Sequence, residues 1–163
     1  MNLKKGVTMS VMLIAVALMS VLAGTAIIYG TSSINLANKG KFESIVDIVK
    51  ENAELYYERE GTYPICMEGQ REIQVTTSSL DKDLKNELVE NGDTNEFLNV
   101  LDLKKLKIPS IELGNIQSNL DNNISIDDKI RKKDVFLINQ ETGNIYYMAG
   151  LKFKGKRIHS NTK

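Results

Sequence analysis

The sequence predicts an α+β protein, and three observations carry that prediction. Residues Gly6 to Gly30 form an apolar run without a charge or a proline, and apolar residues from Ile34 to Tyr56 recur at the three-and-four spacing of one helix face. The clearest strand and hairpin signals come late, between Asp134 and Ala149. Helix therefore opens the chain and antiparallel strands close it.

As a helix rising about 1.5 Å per residue, residues 6–30 match a hydrocarbon core roughly 30 Å thick. Only Lys4 and Lys5 are charged before the run, and the next charge is Lys39. That lysine bias puts the N-terminus in the cytoplasm and everything from residue 31 outside. About 130 residues remain beyond the membrane, enough for one compact domain. The formal net charge of +0 hides an asymmetry: residues 31–128 hold ten Lys/Arg against nineteen Asp/Glu, while residues 129–163 hold nine against two. Most such splits reflect solvated faces, with end-to-end complementarity between copies or attraction to a polyanion as the second reading.

With Cys66 as the single cysteine, no internal disulfide can form, and stability has to come from packing. Cys66 reads first as a small buried apolar residue and second as a reactive thiol. His159 is the lone histidine and no clustered ligand set accompanies it, so neither a metal nor another cofactor is expected.

The leader Met1-Asn2-Leu3-Lys4-Lys5-Gly6 is short and basic and ends in glycine just before the apolar run, whereas a secretory signal places its cleavage site after that run. Lys-Lys-Gly followed by Val-Thr-Met and a long apolar helix resembles the class III signal of type IV pilins and type II secretion pseudopilins. The resemblance runs from Lys4 to about Ile28. It implies that a prepilin peptidase cuts between Gly6 and Val7, that Val7 becomes N-methylated, and that the apolar helix stays on the mature protein. It further implies a leader at 1–6, a transmembrane and assembly helix at 7–30, an amphipathic continuation at 31–63 and an extracytoplasmic globular α+β region at 64–163. In the pilin-like fold so implied, the long N-terminal helix, its first half membrane-spanning, packs against the C-terminal antiparallel sheet. Two positions depart from the family's pattern: Val11 stands where a glutamate is usual and Ile28 where a proline is frequent. A buried carboxylate needs a partner, in this family the N-terminal amine of a neighbouring subunit, and Val11 has no such requirement. That suits a minor subunit near a filament tip better than the bulk subunit. The residues also admit a plain signal anchor over 7–29, or a signal peptide cut after Gly24-Thr25-Ala26.

Beyond the span, Ile34, Ala37, Phe42, Ile45, Ile48/Val49, Ala53 and Tyr56 define the buried face of the amphipathic helix, with a bend or softened turn near Gly30–Ser33 or Gly40. The helix is expected to stop in Glu60-Gly61-Thr62-Tyr63-Pro64, where glycine suits a left-handed cap and proline cannot continue the ladder. Tyr56-Tyr57 followed by Gly61-Thr62-Tyr63-Pro64 also resembles the end of the long helix in many pseudopilins. Glu72–Thr76 alternates like a strand, and Leu80–Val89 and Glu96–Leu106 read as short helices. A loop is expected from Ser110 to Asp128 after the break at Pro109. Its Asp121–Asp128 run offers alternating oxygen ligands, and some family members bind calcium, but Lys132 stands where an EF-hand loop needs glutamate. Asp134–Asn139 and Ile145–Ala149 flank a turn containing Gly143, with a further short strand at Leu151–Lys154 and Lys156–His159 after it.

No nucleotide-binding glycine loop, nucleophile elbow or zinc-protease motif is present, and no carboxylate pair is marked out by spacing as catalytic, so an enzyme is not expected. The favoured reading is a single-pass membrane protein of the pilin type. Its partners would be the prepilin peptidase, related subunits, the assembly platform and, before assembly, membrane lipid. Ala15, Ala17, Ser20, Ala23 and Gly24 would let apolar helices approach closely. The alternative is a membrane-anchored binding or sensor domain that never polymerises, with Lys129–Lys133 and Lys152–Arg157 drawing an anionic cell-wall polymer or DNA.

Overall fold

The computed structural model describes residues 33–108 and 124–161. The chain divides into two units, 1–38 and 39–163. Of the first unit, residues 33–38 are described, and they are helical with Ile34 and Leu36 exposed. The 6–30 run lies outside the described residues, as does the softened turn expected at Gly30–Ser33 up to its last residue. Among the described residues no helix is long and apolar enough to cross a membrane.

In the second unit, helix α1 covers 39–60 without a break at Gly40. It buries Phe42, Ile45, Val46, Val49 and Ala53, the face its apolar spacing defines with Val46 added. Gly61 ends it as expected. Its backbone sits at φ +74°, and its N–H donates to Tyr57 O at 2.8 Å. Tyr56 packs on the core beneath, while Tyr57 stacks on Tyr63 with ring centroids 4.6 Å apart.

A small hairpin follows, β1 (Met67–Glu68) and β2 (Arg71–Glu72), and then β3 (Gln74–Thr76). After a 3-10 turn comes α2 (Lys82–Glu90), its first turn capped by the Asp81 carboxylate accepting from the Leu84 N–H at 3.0 Å. Strand β4 (Phe97–Val100) and helix α3 (Leu103–Leu106) occupy the stretch expected to be one helix. Two features decide that difference. Phe97–Val100 is paired on both sides, with β3 and with β5 (Phe136–Ile138), and Asp102 caps a new helix just after it. An apolar cluster as dense as Leu98, Val100, Leu101, Leu103 and Leu106 satisfies both periods, and sheet pairing selects the strand.

The expected loop also ends earlier than Asp128. Helix α4 (Ile126–Arg131) begins there, with Ser125 Oγ accepting from the Asp128 N–H at 3.2 Å. Asp121–Asn123 lie outside the described residues, and Asp128 is engaged in this cap. Strand β6 (Ile145–Tyr147) completes the expected hairpin with β5 in the register Ile138↔Ile145 and Phe136↔Tyr147. β7 (Leu151–Phe153) and β8 (Lys156–Ile158) form a separate two-stranded ribbon.

The main sheet is antiparallel in the order β3-β4-β5-β6. The C-terminal sheet of the sequence reading thus takes half its strands from residues 74–100. Side-chain alternation gives it two buried faces. Phe136, Ile138 and Ile145 meet α1 and α3 in one core, and Leu98, Val100, Leu137 and Tyr146 meet Leu84 and Leu88 of α2 in the other.

Candidate functional site

Two clusters of buried polar groups lie on the α2 side of this framework. The first is built on Asp93, 3 % exposed at the end of the turn after α2. Its carboxylate accepts from Asn139 Nδ2 (2.8 Å), Thr142 Oγ1 (2.8 Å), Asn144 Nδ2 (3.2 Å) and Tyr146 Oη (2.5 Å). A single anion thereby holds the whole β5–β6 turn against α2. Burial, reinforced by the hydrogen bond to Asp93, raises the Tyr146 phenol well above its ordinary value, so it stays a donor.

The second cluster binds the C-terminal segment. Glu87, 8 % exposed, accepts from the His159 N–H at 2.9 Å, the Ser160 N–H at 2.7 Å and the Ser160 hydroxyl. Asp83 accepts from the Arg157 N–H at 2.9 Å, and on α1 Asp47 takes Asn161 Nδ2 on both oxygens at 2.7 Å. His159 is wholly buried. Its Nδ1 lies 2.9 Å from Tyr147 O, and its Nε2 has no hydrogen-bond partner among the described residues and faces Asp81 Oδ1 at 3.4 Å. Burial alone would raise the Asp81 carboxyl. The Leu84 amide, His159, Lys133 and Arg157 outweigh it and hold Asp81 below its ordinary value.

Both clusters position backbone. Ser160 is committed to Glu87, and the imidazole of His159 is closed off from solvent, so no open nucleophile and base meet there. Cys66 is half-buried with Sγ 3.6 Å from Leu101 O, and burial pushes its thiol up to about 11, which keeps it protonated at neutral pH. Among the described residues no group of three or more His, Cys, Asp or Glu side chains is placed to hold a metal ion.

The predicted processing residues Gly6 and Val7 lie outside the described residues. The two cationic segments fare differently from each other. Lys129 is buried, which removes it from the surface patch expected at Lys129–Lys133, while Lys152, Lys154, Lys156 and Arg157 are all exposed on the β7–β8 ribbon. Glu87 and Asp93 were not singled out by sequence reasoning. A signal for Glu87 existed, since it falls on the same helix face as Leu84 and Leu88 and a carboxylate there must find donors.

Comparison with family models, curated proteins and solved structures returns no match. The class the described fold defines is an α+β domain in which a helix and a four-stranded antiparallel sheet share one core and a second helix covers the other sheet face.

Proposed function

We propose that the chain is a pilin-like structural subunit of a type IV pilus or type II secretion pseudopilus, built into its filament through its hydrophobic N-terminal helix. The observation that carries the reading is the order Lys4-Lys5-Gly6 and then 24 residues without a charge or a proline from Val7 to Gly30. An amphipathic helix lying on an antiparallel sheet supports it, because that is the architecture the resemblance implies. In this reading prepilin peptidase removes 1–6 and Val7 is N-methylated. The apolar helix first holds the subunit in the cell membrane with its domain outside, then packs against related helices in the filament. Val11 in place of a glutamate fits a minor subunit.

The test is the mass and sequence of the N-terminal peptide of protein isolated from membranes, with and without the peptidase. N-methylated Val7, lost when the peptidase is absent, is the expected result. An intact Met1 leaves a membrane-anchored domain, and a start at Ile27 means an ordinary secreted protein.

A further inference from the structure

The β7–β8 ribbon carries Lys152, Lys154, Lys156 and Arg157 within six residues, all exposed, and no acidic residue follows Glu141 in the chain. Local physics disfavours that choice of residues. Lys152 and Arg157 are cross-strand partners, so two like charges stand directly opposite on one face. Lys154 at φ +47° and Gly155 at φ +85° occupy the two central positions of the hairpin turn, where Asn or Asp would precede Gly at lower cost. Each departure adds a positive charge, of which the fold uses a part: Arg157 donates from Nη1 to Ala149 O and helps hold the Asp81 carboxyl down, and Lys154 meets the Phe153 ring. On the opposite face, Leu151 and Ile158 pack on the α1 core, and Phe153 lies beneath two ammonium groups, Lys39 Nζ at 5.6 Å and Lys154 Nζ at 5.4 Å from its ring centroid. Glu43, Asp83, Glu87 and Glu90 line the groove beside Lys156 and Arg157, whereas Lys152 and Lys154 do not border it.

We propose that this cationic ribbon docks on the anionic phospholipid headgroups of the membrane that holds the chain. The inference rests on the membrane-anchored reading above. Lys39, which meets Phe153 of the ribbon, is nine residues beyond Gly30, and nine residues span roughly 30 Å even when fully extended. The ribbon is therefore tethered near a bilayer surface, whereas a nucleic acid or a soluble polyanion has to be met from bulk. Clustered lysines close to an anionic surface gain from each charge, and that gain decays within a Debye length of about 8 Å at physiological salt.

The full chain is reconstituted into vesicles of phosphatidylcholine alone or with phosphatidylglycerol and treated with trypsin. Cleavage within the ribbon is compared with cleavage after the exposed Arg71 of the same molecules. Phosphatidylglycerol is expected to slow ribbon cleavage relative to Arg71 by about tenfold at low salt, with the protection lost at high salt. The K152Q/K154Q double variant, which keeps two cleavable sites, is expected to lose most of the protection. Equal ratios in both vesicle types overturn the proposal, as does protection by added duplex DNA in phosphatidylcholine vesicles that exceeds that from phosphatidylglycerol. Vesicle flotation separates the two readings. A chain that floats with phosphatidylcholine but shows no lipid-dependent protection sinks the docking surface alone, and a chain that does not float sinks the anchor and the docking surface together.

Discussion

Asp93 brings a carboxylate into the interior and surrounds it with four side-chain donors, three of them from the β5–β6 turn and one, Tyr146, from β6. Removing the acceptor leaves the buried Tyr146 hydroxyl and one N–H of the buried Asn139 side chain unpaired, while Asn139 keeps Asn95 Oδ1 and the exposed Thr142 turns to water, and an unpaired buried donor costs more than a hydrogen bond gains. Asp93→Ala is therefore expected to destabilise the protein by about 3–5 kcal/mol, and Asp93→Asn, which keeps one carbonyl acceptor, by about 1–3 kcal/mol. Urea unfolding followed by circular dichroism checks both. A loss below about 1 kcal/mol for the alanine variant would show the network to be relaxed by solvent. None of this hub is written in local sequence. Asp93 follows Asn91-Gly92 and reads as a turn residue, and its donors lie 46 to 53 positions further on. Cys66 was easier to read, because a lone thiol between Ile65 and Met67 has few roles besides packing.

At the scale of elements, periodicity works where one face is buried and fails where both are. Helix α1 has one buried face, and its Phe42, Ile45, Val49 and Ala53 were legible, whereas Val46 was not and Ile34 and Ala37, assigned to the same face, are exposed. In the β5–β6 hairpin, short apolar runs flank a polar turn, which is signal enough. Strand β4 lies inside the sheet with Leu98, Asn99 and Val100 all buried, so it shows no alternation and passes for a helix. What seats the ribbon on the body is Gly150, at φ +61°, whose N–H donates to Tyr147 O at 3.0 Å. A Cβ there would stand 2.7 Å from His159 Cε1, 2.8 Å from Nδ1 and 3.0 Å from Ile158 O. Gly61 at φ +74° has nothing within 4 Å of the same position. Gly150→Ala should thus cost about 2–4 kcal/mol, strain and overlap together, against about 1 kcal/mol for Gly61→Ala. Thermal melts of the two variants side by side test the difference, and equal losses would mean that the His159 ring moves aside freely.

For the domain as a whole, the last residues close the structure. Arg157, His159, Ser160 and Asn161 reach carboxylates on both helices, so the C-terminal segment joins α2 to α1 after the sheet is complete. The basic tail and acidic body of the sequence read as solvated faces or as a match between copies, not as this closure, and half of the contacts are made by backbone N–H groups, which every sequence possesses, so the pairing was not legible. Ending the chain at Ile158 would leave Glu87 buried without its three donors and empty the space filled by His159. A domain of this size is stable by roughly 5–15 kcal/mol, and this loss should remove about 3–5 kcal/mol of it. Acid probes the same closure at a defined group. The folded carboxyl of Asp81 titrates below its ordinary value of 3.8, so it binds a proton less readily than in the unfolded chain. Its contribution is full above that value and is lost as pH falls through the lower folded value. The stability gap between the native protein and Asp81→Asn should accordingly close as pH falls below the ordinary carboxylate range. Urea midpoints across that range decide the matter. A gap that widens as pH falls below the ordinary carboxylate range would mean that Asp81 is held in its protonated form.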